Sequence, residues 1–122
     1  MAKNINEVAE GNVSYKDNVV LSIVTLATQE INGIASITRN ALPAAKRMFN
    51  KNYHKGVLIE FVDNSVYVDV YVKIKFGYSV RDVAFRAQEN IKSSIESMTD
   101  FKAAEINIHC TGVVFTEEDE AI

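Results

Sequence analysis

The chain has 122 residues, 48% of them hydrophobic and 24% charged, with a net charge of −3 at neutral pH and a single cysteine. That length gives one domain with a core of its own and is too short for two ordinary ones. One cysteine leaves no partner for an internal disulfide, the first residues lack the apolar run expected of a secretory leader, and no run of about eighteen apolar residues could span a bilayer, so a reducing, cytoplasmic setting is expected.

Residues 1–10 show no period and are expected to be a loose segment, with a single α+β domain over 11–115. Residues 11–15 read as a short strand. A helix is predicted over 17–32, where Val20, Ile23, Val24, Ala27 and Ile31 recur at three- and four-residue spacing. Asp17 suits its positive end, and Asn32-Gly33 its stop. Ile34 to Ile37 then reads as an apolar linker tucked under the sheet. Residues 38–55 come next. Pro43 fits the first turn of a short helix that carries Leu42, Met48 and Phe49 inward. The same span holds Arg39, Lys46, Arg47, Lys51 and Lys55, and no acid occurs between Glu30 and Glu60. Those five cations are the candidate contact for a polyanion, nucleic acid or anionic lipid; the plainer reading is a solvated helix face with a loop.

Residues 57–62 form a strand with Val57, Ile59 and Phe61 toward the core, and Asp63-Asn64-Ser65 turns it into an antiparallel hairpin. In the long strand over 66–76, apolar Val66, Val68, Val70, Val72, Ile74 and Phe76 alternate with Tyr67, Asp69, Tyr71, Lys73 and Lys75. One face therefore lies in the core and the other meets water or a partner. After Gly77-Tyr78 the period becomes helical. Ser79 caps, with Asp82 placed to complete a capping box, and Val80, Val83, Ala84, Ala87, Ile91, Ile95 and Met98 share one side. Ala104, Ile106, Ile108 and Cys110 alternate with polar residues in a last strand. The four acids of residues 117–120 carry the negative charge, leaving +1 without them, and 116–122 is expected to be a disordered acidic tail. The fold class is a two-layer α+β domain: a small, mainly antiparallel sheet, helices on one face, in the order (β)-α-(short α)-β-β-α-β.

Site chemistry is sparse. The five glycines never approach a phosphate-binding spacing. His109 and Cys110 are strand neighbours pointing to opposite faces; the first reads as a surface imidazole, the second as a buried structural thiol. His54 stands in the basic loop with no visible acid or thiol beside it. Asp69 reads as one half of a cross-strand charge pair. No catalytic, metal or cofactor residue is expected, and no enzyme. The open sheet face is more informative. Tyr67 and Tyr71 leave it together, joined by Leu58 and Val62 from the hairpin, while Phe85 interrupts the polar face of the second helix. These five are the candidate protein interface, since tyrosine offers large area at low entropic cost.

Asp17-Asn18-Val19-Val20, Glu30-Ile31-Asn32-Gly33-Ile34-Ala35, Lys55-Gly56-Val57, Val68-Asp69-Val70-Tyr71-Val72 and Phe76-Gly77-Tyr78-Ser79-Val80 stand in an order and spacing that resembles the alkaline shock protein family of Gram-positive bacteria. Val83-Ala84, Gln88-Glu89, Ile95-Glu96-Ser97-Met98-Thr99 and Ile106-Asn107-Ile108 extend the likeness, which spans about 11–115. Asp100-Phe101 departs from the family's Gly-Leu, with Asp expected to tolerate a left-handed stop, and Lys16 replaces its polar cap. The resemblance implies a non-enzymatic envelope-stress protein without cofactor, which self-associates and is held near the membrane by a membrane-anchored protein partner. Some branches go with fatty-acid synthesis genes instead. The expected role is thus a scaffold or adaptor; the alternatives are a small RNA-binding module using 39–55 or a regulator of lipid synthesis.

Overall fold

The computed structural model describes residues 15–41 and 53–115, in which two helices lie on one face of a five-stranded sheet. Helix α1 is Tyr15–Gln29 and α2 is Val80–Met98; the strands are β1 Ile34–Ile37, β2 Tyr53–His54, β3 Val57–Val62, β4 Ser65–Lys75 and β5 Lys102–Val114. Tyr15 opens α1 rather than ending a strand, and the rest of that expected strand lies outside the described residues. The expected short helix at Pro43, with Leu42, Met48 and Phe49, lies outside them too.

The sheet is built on β4. Its period of two buries Val66, Val68, Val70, Val72 and Ile74 beneath the helices. Along one edge β4 pairs antiparallel with β3, from Val57 opposite Val70 to Val62 opposite Ser65. β3 has six residues and β4 eleven, so the far end of this edge needs another partner. Residues 34–37, expected as a linker, supply it as β1, with Ile34 opposite Ile74 and Ile37 opposite Val72. Unpaired backbone groups at that position would be costly, and a short apolar run alone does not show which pairing it will take. The two strands meet at Tyr71, which donates its N–H to Gly56 O (2.9 Å) and accepts at its carbonyl from Thr38 N–H (2.7 Å). Gly56 has φ +95°, and a Cβ there would stand 2.6 Å from both Ile37 Cγ2 and the Thr38 carbonyl oxygen. The junction closes because residue 56 has no side chain.

Along its other edge β4 pairs with β5 in parallel, from Ser65 opposite Lys102 to Lys75 opposite Val114. A parallel mate requires a crossover, which α2 provides. β5 is longer than the alternation over 104–111 suggests, because Ala104 and Thr111 are extra residues in its ladder. The first bulge sends Ala103 instead of Ala104 into the core. Cys110, expected to be a buried thiol, is exposed on this edge strand. From α2, Gln88 Nε2 donates to Ile106 O (2.7 Å) and Glu96 Oε2 accepts from Ala103 N–H (3.1 Å). Helix side chains thus hold part of the β5 backbone.

The core joins Val20, Ile23, Val24 and Ala27 of α1 to Val83, Ala87, Ile91 and Ile95 of α2, all over the β4 valines. Each fully buried valine or isoleucine contributes about 1.5–3 kcal/mol of transfer free energy. The stripe is shorter than its periodicity suggests: Val80 is 42% exposed and Met98 68%, in the turns where the helix reaches and leaves the sheet. Phe76 is also exposed, since β4 ends before it. Ser79 Oγ accepts from Asp82 N–H (3.2 Å) at the start of α2. At its end Thr99 is extended, and its N–H and hydroxyl both reach Ile95 O. The helix therefore stops without a left-handed Asp100; among the described residues Lys55 and Asp63, in the two hairpin turns, are the non-glycine ones at positive φ. Lys16, outside the family's capping pattern, lies 4.6 Å over the Phe61 ring and 5.8 Å over Phe101.

Candidate protein-interaction surface

Register decides what the helix-free face presents. Leu58 lies opposite Asp69, Glu60 opposite Tyr67 and Val62 opposite Ser65; on the other flank Tyr67 meets Glu105, Asp69 meets Asn107 and Tyr71 meets His109. Tyr67, Tyr71, Leu58 and Val62 therefore share this one face. Val62 is 49% exposed and Tyr67 36%, whereas Leu58 and Tyr71 are half-buried. Phe85, 58% exposed, belongs to α2 and so to the helical layer, in a shallow depression with Ser79, Arg81 and Asp82. The structure does not bring it to the tyrosines.

A polar cluster occupies the middle of the face. The His109 ring stacks on Tyr71 (centroids 4.5 Å apart, 16° between planes), and its Nε2 lies 2.8 Å from Asp69 Oδ1. Asp69 thus pairs with an imidazole across β4 and β5, and His109 is more than a bare surface ring. The Tyr71 hydroxyl is pushed above its usual range, first by burial and then by the nearby Asp69 and Tyr53. Tyr53 donates its hydroxyl to Arg39 O (2.5 Å) and accepts from Ala41 N–H (3.1 Å), tying the chain after β1 to β2. Thr38 and Thr111 meet hydroxyl to hydroxyl at 2.6 Å above β4. This network fixes the centre of the face, while Tyr67 and Val62 stay free at its hairpin end.

The periodicity of β4 showed the tyrosines but not the His109–Asp69 pair. Its signal was the match of Tyr67-x-Asp69-x-Tyr71 with Glu105-x-Asn107-x-His109, readable only once the strands are known to be parallel neighbours. His54, read as a loop residue, is buried in β2 at 8% exposure, with Nε2 3.9 Å from Asp17 Oδ2. Of the basic set, Arg39 and Lys55 are exposed at the ends of β1 and β2, whereas Lys46, Arg47 and Lys51 lie outside the described residues. Among the described residues no group of three potential metal ligands comes together, and no helix is long and apolar enough to cross a membrane. A histidine–carboxylate pair can orient a proton, yet the adjacent thiol, Cys110, occupies the other phase of β5. What the face offers is apolar and hydrogen-bonding surface on a rigid strand pair.

These features define a small two-layer α+β domain whose distinguishing surface is an open sheet face. The same fold is found in solved MamM CTD variants, at a TM-score of 0.51 and 9% identity, over 85% of this chain and 100% of that one. The chain belongs to the alkaline shock protein 23 family, described as having a cell envelope-related function, which it matches over residues 5–115. Among its relatives is YqhY of Bacillus subtilis, 33% identical over 113 residues, covering 92% of this chain and 84% of that protein. A stress response regulator gls24 homolog of Streptococcus pyogenes is 22% identical over 122 residues, covering 98% of this chain and 68% of that protein. The family is thus an envelope-related one, and the gls24 homologs among its relatives are named as stress response regulators.

Proposed function

We propose that this protein is a non-enzymatic scaffold of the envelope stress response, which self-associates through its open sheet face and is held on the cytoplasmic side of the membrane by a membrane-anchored protein partner. The observation that carries the reading is that exposed Tyr67 and Val62 lie diagonally across the β3–β4 ladder, at the hairpin end of a face that no helix among the described residues covers. Tyrosine and valine, diagonal neighbours on two paired strands, supply apolar area at the hairpin end, with Glu60 and Glu105 directly beside the tyrosine as a polar margin. The neighbouring polar cluster gives that patch a fixed frame, so little ordering entropy opposes docking. Family membership and the stress-response relatives support the cellular setting.

The test is light scattering of the full chain against the variant carrying Val62→Ser and Tyr67→Ser, with circular dichroism as the control for folding. Both side chains are largely outside the core, so the variant should fold. The wild type should associate with rising concentration and the variant should not. A wild type that stays monomeric, or a variant that assembles equally well, sinks the proposal.

A further inference from the structure

Among the described residues the sheet leaves a strand position open beside β1. β1 pairs with β4 along one edge, and among the described residues no strand lies along the other. β2 extends the sheet beside β3, which is collinear with β1, but stops at His54. Beside β1 no strand among the described residues continues that row. A trough of about 480 Å³ lies there, with all four β1 residues on one wall and Leu21, Thr25 and Gln29 of α1 on the other. Those three are spaced four apart, so they form a single line along the helix.

The backbone of the inner wall is set up for pairing. Ser36 lies opposite Lys73 and Thr38 N–H reaches Tyr71 O, so the ladder groups toward β4 fall on alternate residues. The N–H and C=O of Ile37 between them point the other way, into the trough. An edge of this kind, facing a helix across a channel of mixed apolar and polar lining, is the geometry in which an extended peptide adds to a sheet. Charge selects the peptide. Arg39 and Lys55 both line the trough, at the end where β1 stops, and among the described residues no acid is on its walls.

We infer that the trough between α1 and the outer edge of β1 takes an extended, acidic segment of a partner protein, which pairs with β1 and sets its carboxylates against Arg39 and Lys55. The inference rests on the adaptor reading only in taking the occupant to be another protein, and it uses a different surface from Tyr67 and Val62. Four residues of strand, about 13 Å, fit the length of β1.

Fluorescence anisotropy of the full chain with a labelled six-residue peptide of alternating valine and glutamate tests it. Saturable binding is expected, lost when alternate peptide nitrogens are methylated, and lost in Thr25→Trp, which fills the trough from the helix side. Arg39→Glu should weaken it about tenfold, as loss of a charge contact does. Val62→Ser with Tyr67→Ser should leave it unchanged, so self-association and peptide capture fail or succeed separately. The inference is overturned if no peptide binds, if a valine–lysine peptide binds as well, or if Thr25→Trp has no effect. It is overturned equally if binding emerges only on deletion of 116–122, which would assign the trough to the chain's own tail. Loss of self-association in Thr25→Trp would assign it to a second copy and also overturn the inference.

Discussion

Replacing Gly56 by alanine tests the junction of β1 and β3 with one methyl group. Two costs arise. An L-residue at φ +95° pays roughly 1–2 kcal/mol in backbone strain. The new Cβ would also stand 2.6 Å from Ile37 Cγ2 and from the Thr38 carbonyl oxygen, too close for either to remain. Overpacking of this kind costs about 1–3 kcal/mol more, because one of the two obstacles is backbone held by the Thr38–Tyr71 hydrogen bond. The sum is about 2–5 kcal/mol, a large part of the about 5–15 kcal/mol that a domain has in total. Gly77 is the internal control: its φ is +97°, nearly the same, but nothing lies within 4 Å of where its Cβ would be. Gly77→Ala should show the strain alone. Urea unfolding followed by circular dichroism gives both values, with the slope m as the check that the unfolded states match. Equal destabilisation by the two substitutions would refute the close approach at residue 56.

Val70 is fully buried and Lys73 exposed on the opposite phase of β4, so Val70→Asp should unfold the domain while Lys73→Asp stays within about 1 kcal/mol of wild type in thermal melts. Comparable melting temperatures would mean that the strand is mis-phased. The Tyr71 hydroxyl is raised above its usual value of 10.0, so the folded state holds this proton more tightly than the unfolded one. Its contribution is full below about pH 10 and is lost as pH rises through the higher folded value. Tyr71→Phe should therefore lose less stability than wild type between neutral pH and strong alkali; identical alkaline curves would refute the burial of that hydroxyl.

Much of the fold was legible because the sequence states its period plainly. Val66 to Ile74 alternate without a break, and Val83, Ala87, Ile91 and Ile95 repeat every four residues, so core phase and layer order follow from local pattern alone. What could not be read depends on neighbours distant in the chain. Ile34 to Ile37 form a strand only because β3 is too short to cover β4. Cys110 lies in the apolar phase of its strand, yet stays exposed because that strand is an edge. The extra residue at Ala104 shifts the buried position by one, and nothing in the local alternation announces it. At the candidate surface, Tyr67 and Val62 were readable from phase and hairpin register. The His109–Asp69 contact needed the parallel pairing of strands separated by a whole helix. The trough beside β1 was hidden for the same reason as β1 itself.

The parallel pairing of β4 with β5 also sets a timetable for synthesis. β1 to β4 can zip once Lys75 has left the ribosome, because their partners lie close in sequence or already precede them. β5 cannot join until the ribosome has added the crossover helix and then the strand through Val114. At 5–20 residues per second that is roughly 2–8 s, during which the central strand, its valines and one whole edge stand open to any other nascent chain. Once β5 docks, the Gln88 and Glu96 side chains of the same helix close over its backbone. The element that arrives late thus brings its own cover.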